Sequence, residues 1–508
     1  HTNQFQQEWL KFVTLDRVVN FSDLRFILFA GSIHPCVGIL FRSAKSRPHD
    51  MIRYEAPKTD PRSQQGGPVY IREEDSSLLR LKDILDASAQ DNAPVIWKSH
   101  YWGTWRDQRL LSRLSGFPKL RRYVGTPRNP KRFIKGQGFQ AFNPQANSDL
   151  SKILKKKKPE KPWWSPEQLF LPAENLTDLV ANPVFFEPIS NRFPQLLFPR
   201  NRKLFDGPKV LVSQGSQDMK AAFCSYSVVF QSALQTITGK KKDSDLLRFL
   251  SAVVKSDVVQ YYLFHTSTNW GTERDKVLFY ELLSLPFFLP EDTSDPKKAQ
   301  NIIDEAVDAI KSYEKRMEAK SRLEHYDESA RIRRDILNPL VHKYYDIDKY
   351  EAMLVDETLQ LDIKSFHPTE NTRDVPTLRN VSYKQSTVYT RTLCEMLNQF
   401  GRGSNFKVNG KVIEGQPYSV VRISLTNKIS RNVQVSKADT KLTFILKRME
   451  SRLQQHQEHF VFCQNLKVFD GDDLYILKPM QMRFWSRTAA LNDADEVAAA
   501  ILDSRRCK

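Results

Sequence analysis

Val18-Val19-Asn20, then Phe26-Ile27-Leu28-Phe29, then Val37-Gly38-Ile39-Leu40-Phe41, with Gly31 to Pro35 between the last two, form the stretch on which the fold reading turns. Two apolar runs parted by a Gly/His/Pro turn predict strand and loop over 1–45, with a buried hairpin inside it. Next, 46–70 is rich in Pro, Arg, Gly and Gln and reads as a loop or boundary. Ser76 to Ser88 then sets Leu78, Leu79, Leu81, Ile84 and Leu85 at helical spacing.

Further along, 141–175 is proline-rich, carries a lysine run and reads as a linker. Lys209 to Ser213 is a short β-type run after Asp206-Gly207-Pro208, and Val228-Val229-Phe230 is a second candidate. Behind Ser244 as N-cap, the apolar positions Leu246, Leu247, Phe249, Leu250, Val253 and Val254 predict a helix. A long charged helix is expected over 297–327, with Ile302, Ile303, Ala306, Ala309, Ile310, Tyr313 and Met317 on one face, and two more over 329–342 and 347–360. That stripe reads as packing against neighbouring helices, not as a cofactor site. Residues 380–508 alternate β-like runs (Tyr418 to Leu425, Leu474 to Leu477) with helices around 437–458 and 492–503, as a separate α+β tail domain would.

The length of 508 residues at 40% hydrophobic content allows two to four packed domains. With 27% charged residues and a mean hydropathy of −0.51, no apolar run approaches the ~20 residues of a membrane helix. The cysteines, Cys36, Cys224, Cys394, Cys463 and Cys507, are scattered and include no CxxC pair, and no basic-apolar leader opens the chain. A reducing cytoplasm is expected. The chain starts at His1 rather than Met, and Glu8-Trp9-Leu10 reads as the middle of a helix, so an N-terminally incomplete piece is expected.

The net charge of +18 is concentrated: residues 98–161 hold 17 Lys/Arg against Asp107, Asp149 and Glu160. A linker, a membrane-surface patch or a polyanion site would all explain such a window. Its run Lys155-Lys156-Lys157-Lys158, between Lys152 and Pro159-Glu160-Lys161-Pro162, reads as a tether that adds unspecific attraction. The rest alternates Arg121, Arg122, Arg128, Lys131, Arg132 and Lys135 with Tyr123, Phe133, Phe139 and glycines. Cations that neutralise phosphates and release counterions, mixed with flat rings, are what a nucleic-acid groove uses. The expected DNA-contacting set is therefore Arg106, Arg121, Arg122, Arg128, Lys131, Arg132, Lys135 and Phe139, joined by Arg202, Lys203 and Arg274.

One internal echo accompanies this window. Trp102-Gly103-Thr104-Trp105-Arg106-Asp107 and Trp270-Gly271-Thr272-Glu273-Arg274-Asp275 share W-G-T-x-R-D, a capping-box pattern that predicts a helix start at each. An Arg beside a helix N-terminus also suits a phosphate, although two ordinary helix starts are the simpler reading.

Catalytic motifs are missing. There is no Walker A sequence, no H-E-x-x-H and no G-x-S-x-G elbow. Gly136-Gln137-Gly138 and Gly401-Arg402-Gly403 follow no apolar strand as a nucleotide loop would, and read as turns. His456 and His459 have no third ligand near them, and Glu291-Asp292 and Asp472-Asp473 read as turn carboxylates. No catalytic, cofactor-binding or metal-binding residue is assigned.

The segment Val18 to Phe26, ending in Leu28-Phe29-Ala30-Gly31 and His34-Pro35, resembles the later catalytic-domain strands of adenine-specific N6 DNA methyltransferases of the large restriction-modification type. Further patches resemble that family's C-terminal half. They are Trp102-Gly103-Thr104 with Arg106-Asp107, Gly136 to Phe139, Gly207-Pro208 with Val210-Leu211-Val212, and Ser256 to Trp270 leading to Leu285-Pro286. Leu337-Asn338 with Val341 and Tyr344-Tyr345, and Lys478-Pro479 with Trp485, complete the series. Their order along the chain is the stronger signal. The family's Gly-rich S-adenosylmethionine loop and its N/D-P-P-Y/F/W tetrapeptide are both absent: Asn143-Pro144, Asn182-Pro183 and Asn338-Pro339 lack the second proline and the aromatic.

The resemblance implies a mixed α/β and α+β fold. Its parts would be the end of a methyltransferase sheet over 1–45, a connecting segment over 46–94, a target-recognition α+β region over 95–290, a helical segment over 297–360 and a C-terminal α+β domain over 380–508. S-adenosylmethionine would be bound by a part outside this chain. Duplex DNA is the expected partner. Three readings stay open: the C-terminal part of an adenine-N6 DNA methyltransferase, a non-catalytic DNA-specificity subunit working with a separate methyltransferase or nuclease chain, and a general RNA- or polyanion-binding protein.

Overall fold

The computed structural model describes residues 3–29, 31, 34–64, 67–89, 93–142, 159–214, 219–272, 276–366, 374–403, 407–430, 432–440, 442–444, 447, 448, 451, 460–463 and 465–506. It is a mixed α/β chain with several sheets and helices. Two compact units share it: residues 1–111, 271–274 and 353–508 form one, and residues 112–270 and 275–352 form the other.

In the first unit a four-stranded sheet runs in the order Val37–Arg42, Thr14–Asn20, Met51–Glu55, Ser76–Arg80. The expected hairpin of 26–29 with 37–41 does not form: Val37–Arg42 pairs antiparallel with Thr14–Asn20 instead, Val18 opposite Ile39 and Val19 opposite Gly38. The run Phe26-Ile27-Leu28 between them is helical, not extended. Asn20 Oδ1 accepts from the N–H and hydroxyl of Ser22, and the buried Arg25 donates from Nη1 to the Ser22 carbonyl at 2.6 Å, which winds the segment. The outer strand is not buried: Val37, Ile39, Leu40 and Phe41 are each about half exposed.

The 46–70 stretch, read as a loop, contains the strand Met51–Glu55, which runs parallel to Thr14–Asn20. Ile52 and Tyr54 point into the core while Met51 and Arg53 face out, a period-two alternation that the surrounding prolines obscured. Ser76 to Ser88 is likewise not one helix. It divides into the strand Ser76–Arg80, paired with Met51–Glu55, and the helix Leu81–Ala89. Tertiary pairing outweighs local helical periodicity there.

Residues 380–508 fall within this same compact unit. The strand Phe460–Cys463 pairs parallel with Val69–Arg72, and Arg483 meets the buried Asp75 at 2.6 Å. Five strands in the order Gln434–Lys437, Lys407–Glu414, Tyr418–Thr426, Asp473–Pro479, Lys467–Asp470 form its sheet. The helices Tyr383–Phe400 and Arg487–Arg506 accompany it. The second extends well past the expected 492–503. Of the helix expected over 437–458, the described residues 440, 442–444, 447, 448 and 451 are helical. His456 and His459 lie outside the described residues.

The second unit is built on a six-stranded sheet in the order Leu179–Val180, Ala221–Cys224, Lys209–Ser213, Leu234–Thr238, Phe133–Gln137, Val124–Gly125. The helix Ser244–Lys255 buries Leu247, Phe249, Leu250, Val253 and Val254, the face that the sequence spacing predicted. Its N-cap is Asp243; Ser244 is the first helical residue and donates its hydroxyl to Lys241 O at 2.6 Å. The helix expected over 297–327 divides into Pro296–Met317 and Arg322–Ile332, because Ser321 and Glu324 form a capping box that starts the second. Between them His325 is buried, bonded through Nε2 to the Met317 carbonyl at 2.9 Å. The expected helix over 329–342 is the rest of this rod, which passes through a π turn at Arg333–Leu337 into Asn338–Tyr344. The next helix, Lys349–Glu357, also leads into a π turn, Thr358–Asp362.

The linker reading of 141–175 divides too. Lys152 and Lys155 to Lys158 lie outside the described residues, but 159–175 is packed structure. Trp163 and Trp164 lie against the core, and Leu169–Phe170 pairs with Glu187–Pro188. Val228-Val229-Phe230 forms no strand; Val229 makes one isolated bridge, to Phe170.

Candidate nucleic-acid interface

At one side of the second unit's sheet the edge strand Val124–Gly125 runs parallel to its neighbour Phe133–Gln137, so the seven residues 126–132 must cross back between them. That crossover holds Arg128, Lys131 and Arg132, and the 3-10 turn before it, Leu120–Arg122, holds Arg121 and Arg122. All five are exposed. The loop is closed by its own hydrogen bonds: Thr126 N–H donates to Asn129 O at 3.0 Å, Asn129 N–H to Thr126 Oγ1 at 3.1 Å, and Lys131 Nζ to Arg121 O at 3.1 Å.

Arg121 and Arg128 have no carboxylate partner among the described residues, whereas their neighbours do. Arg122 meets Asp292 at 3.2 Å, and Arg132 donates from Nε to Asp243 at 3.0 Å, with the exposed Glu291 at 3.5 Å. Asp292 also accepts from the Tyr123 hydroxyl and from Leu289 N–H at 3.0 Å. Burial raises the Asp292 carboxyl, but these donors and Arg122 outweigh it and leave the group below its ordinary value. Nearby, Lys119 is pushed down to about 8 by burial and by the Arg121 charge.

The sheet register brings a second basic run to this edge. Leu234–Thr238 pairs antiparallel with Phe133–Gln137, Thr238 standing opposite Ile134. The residues just past Thr238, Gly239-Lys240-Lys241-Lys242, therefore leave the sheet at the end where Lys131 and Arg132 enter it. All three lysines are exposed, and the Asp243 that follows them is the partner of Arg132. Sequence reading passed over this triplet because it sits outside the 98–161 window; the K-K-K-D run ahead of an apolar helix pattern was its available signal.

The other expected residues scatter. Lys135 lies within the strand Phe133–Gln137, its ammonium 5.6 Å from the Phe279 ring. Arg202 and Lys203 are exposed on a 3-10 turn that Asn201 caps, and Leu204 of that turn packs on Gly136. Phe139 does not join a surface: it is fully buried among Trp164, Phe170 and Phe193, so it is a core ring and does not face a base. Arg106 belongs to the first unit, where its fork grips Asp495 through two 2.8 Å hydrogen bonds. Arg274 lies outside the described residues.

The two echo motifs part company. Thr104 donates its N–H and hydroxyl to Asp107 at 2.7 and 2.6 Å, and the helix Trp105–Gly116 starts there as predicted. No helix starts at Thr272 among the described residues; the next is Phe279–Leu282.

Neither G-x-G pair fits a cofactor loop. A Cβ on Gly136 would strike Leu204 at 2.3 Å and one on Gly138 the carbonyls of Phe230 and Gln231 at 2.2 Å, so these glycines answer to internal packing. Gly401 caps the helix Tyr383–Phe400. Among the described residues, neither G-x-G pair could hold S-adenosylmethionine. Among the described residues no group of three or more His, Cys, Asp or Glu could hold a metal ion, and no helix is long and apolar enough to cross a membrane.

No protein-family profile and no curated protein matches the chain. Two solved structures share a distant likeness. A chain from work on complex assembly and conformational transition of the type I R-M system is 11% identical over 56% of this chain and 61% of that one, with a TM-score of 0.18. The HsdS subunit from Thermoanaerobacter tengcongensis is 13% identical over 54% of this chain and 61% of that one, again with a TM-score of 0.18. The chain thus matches less than two thirds of either, and at that score neither likeness carries an argument.

Proposed function

We propose that this chain is a DNA-specificity component that binds duplex DNA through the basic sheet edge of its 112–352 unit and works with a separate methyltransferase or nuclease chain. One observation carries the reading. Arg121, Arg128 and Lys131 converge with Lys240, Lys241 and Lys242 at one end of a sheet, while Arg122 and Arg132 beside them are anchored by carboxylates. Such a surface neutralises phosphates, and contacts of that kind set register on a duplex without reading sequence. Base readout needs a few further side chains at a groove edge, for which Lys135, Arg202 and Lys203 are the candidates.

The same surface serves the reading as the C-terminal part of an adenine-N6 DNA methyltransferase of a restriction-modification system. In that case S-adenosylmethionine and the tetrapeptide belong to a part outside this chain. We adopt the subunit reading because the basic sheet edge accounts for binding by itself and this sequence carries no catalytic motif. The descriptions carried by the two solved structures agree with it without carrying it.

The test is equilibrium binding of the full chain to duplex DNA and to RNA of equal length at several salt concentrations. Duplex DNA should be preferred, and a variant with Arg121, Arg128 and Lys131 all changed to Ala should lower the salt slope by about 0.9 for each phosphate no longer neutralised. A preference for RNA, or an unchanged slope, overturns the reading. An open frame upstream of the His1 codon that encodes the cofactor loop and tetrapeptide would restore the methyltransferase reading.

A further inference from the structure

Arg132 and Asp243 meet where the strand Phe133–Gln137 begins and the helix Ser244–Lys255 starts. An aspartate at an N-cap ordinarily accepts from the first-turn N–H groups. Asp243 occupies the N-cap and makes no such bond. Its carboxylate, only 2% exposed, turns instead to Arg132 Nε at 3.0 Å. Glu291 is the contrasting acid, 65% exposed and 3.5 Å from the same guanidinium. An exposed pair at that length adds little. A buried acceptor on Nε fixes the plane of a guanidinium, and the other end of its fork, with Nη1 on the exposed Glu291, lies on the side where 39% of the Arg132 side chain is open to solvent.

We propose that Asp243 is a positioning residue for phosphate binding: it orients the Arg132 fork toward the backbone of a bound polyanion, so that a negative charge inside the basic surface strengthens the binding. The inference rests on the reading above that this surface binds duplex DNA, and it deepens that reading by assigning a role to an acid. It also separates the two nearby acids by function, Asp243 holding Arg132 in place and Glu291 merely opposing the ligand.

Charge counting and positioning predict opposite signs. Removing any carboxylate from a basic surface makes the surface more positive, so on charge alone Asp243→Asn and Glu291→Gln should both tighten binding. Positioning predicts that Glu291→Gln tightens binding while Asp243→Asn weakens it severalfold and lowers the salt slope by about one, as expected when one phosphate is no longer neutralised. Arg132→Lys keeps the charge but not the fork, and should show the same drop in slope.

The experiment measures duplex affinity against salt concentration for the full chain and for Asp243→Asn, Glu291→Gln, Arg132→Lys, Arg132→Ala and the double variant Arg132→Ala/Asp243→Asn. The expected result is that Asp243→Asn lowers the slope in the native background and has no further effect once Arg132 is Ala. Tighter binding by Asp243→Asn, no change, or an equal drop in both backgrounds overturns the proposal, the last by showing a purely structural role at the helix start. Should Asp243→Asn fail to fold, Asp243→Ser, which keeps an N-cap residue and removes the carboxylate, decides: an unchanged slope overturns the proposal and a reduction in slope that vanishes once Arg132 is Ala upholds it. If the native chain itself does not bind duplex DNA, the functional reading fails rather than this inference.

Discussion

Gly125 and Asn129 are packed so closely that a Cβ built on the glycine would lie 2.2 Å from the Asn129 carbonyl oxygen and 2.7 Å from Lys131 N. The contact lets the crossover fold back on the edge strand it has just left, which sets the direction from which Arg128 and Lys131 leave the surface. Both neighbours are backbone atoms, so the clash cannot be relieved by rotating a side chain. Gly125→Ala should cost about 1–3 kcal/mol, in the range of overpacking substitutions. It should also weaken duplex binding beyond what the reduced stability explains. Urea unfolding alongside binding at a temperature where both proteins are folded checks it; unchanged binding would mean that the loop's shape is irrelevant to the cations it carries.

Phe139 gives a second expectation, opposite to the one its sequence neighbours suggested. With its ring 4.8 Å from Trp164 and 5.0 Å from Phe193, centroid to centroid, it is a centre of the second unit's core. Phe139→Ala should therefore destabilise by about 3–5 kcal/mol. Phe139→Leu, which keeps most of the volume, should leave duplex affinity unchanged. Weaker binding by a stable Phe139→Leu chain would put the ring back in a DNA-facing role.

These residues show what the sequence made legible. Helix Ser244–Lys255 and strand Lys209–Ser213 were readable because their apolar spacing serves their own core face. Met51–Glu55 was not, since its partners Thr14–Asn20 and Ser76–Arg80 lie far off in sequence and prolines flank it. The basic crossover was legible as charge, but a basic-aromatic alternation does not say which rings point inward: Phe133 and Phe139 are fully buried while Arg132 is exposed. Lys240 to Lys242 could be linked to that crossover only through strand register, which pairs residues about a hundred positions apart. The W-G-T-x-R-D echo shows its cap at Thr104 and Asp107, while residues 273–275 of the second copy lie outside the described residues.

Lys255 and Asp178 form an ion pair of 3.3 Å in which both side chains are about 5% exposed, and Lys255 Nζ also donates to Met219 O at 2.8 Å. The pair joins the end of the helix Ser244–Lys255 to the residue just ahead of the strand Leu179–Val180. Removing one partner leaves a buried charge uncompensated, so Lys255→Met should cost about 3–5 kcal/mol. Changing both, as Lys255→Met with Asp178→Asn, should recover a large part of that cost. A double-mutant cycle by urea unfolding measures it; additive effects would show that each group is held by its other neighbours and not by its ion partner.

The first unit contains a cavity of about 150 Å³ lined by, among others, Lys58, Asp75, Asp107, Glu357 and Asp362. Asp75 is matched by Arg483 and Glu357 by Arg487, but Asp362 has no ion-pair partner among the described residues. Burial, then the neighbouring Asp107 and Glu357 charges, push the Asp362 carboxyl up to about 8. In the unfolded chain an aspartate loses its proton near pH 4, so between about pH 4 and 8 the folded protein holds one proton more. Stability from this group is therefore full below pH 4 and falls as pH rises to 8. Asp362→Asn removes the dependence. Its melting temperature should match the native protein near pH 4 to 5 and exceed it increasingly up to pH 8. With solvent screening at a partly exposed wall, the gain at pH 8 should be about 1–3 kcal/mol. Lys58, pushed down to about 8 chiefly by burial, acts in the next window: its charge costs stability below pH 8, and that cost is relieved as pH rises toward 10.5. Native-protein stability from this cavity should thus pass through a minimum near pH 8. Melting curves of the native and Asp362→Asn chains from pH 4 to 9 test both halves, and a difference that does not grow with pH would place the Asp362 proton elsewhere.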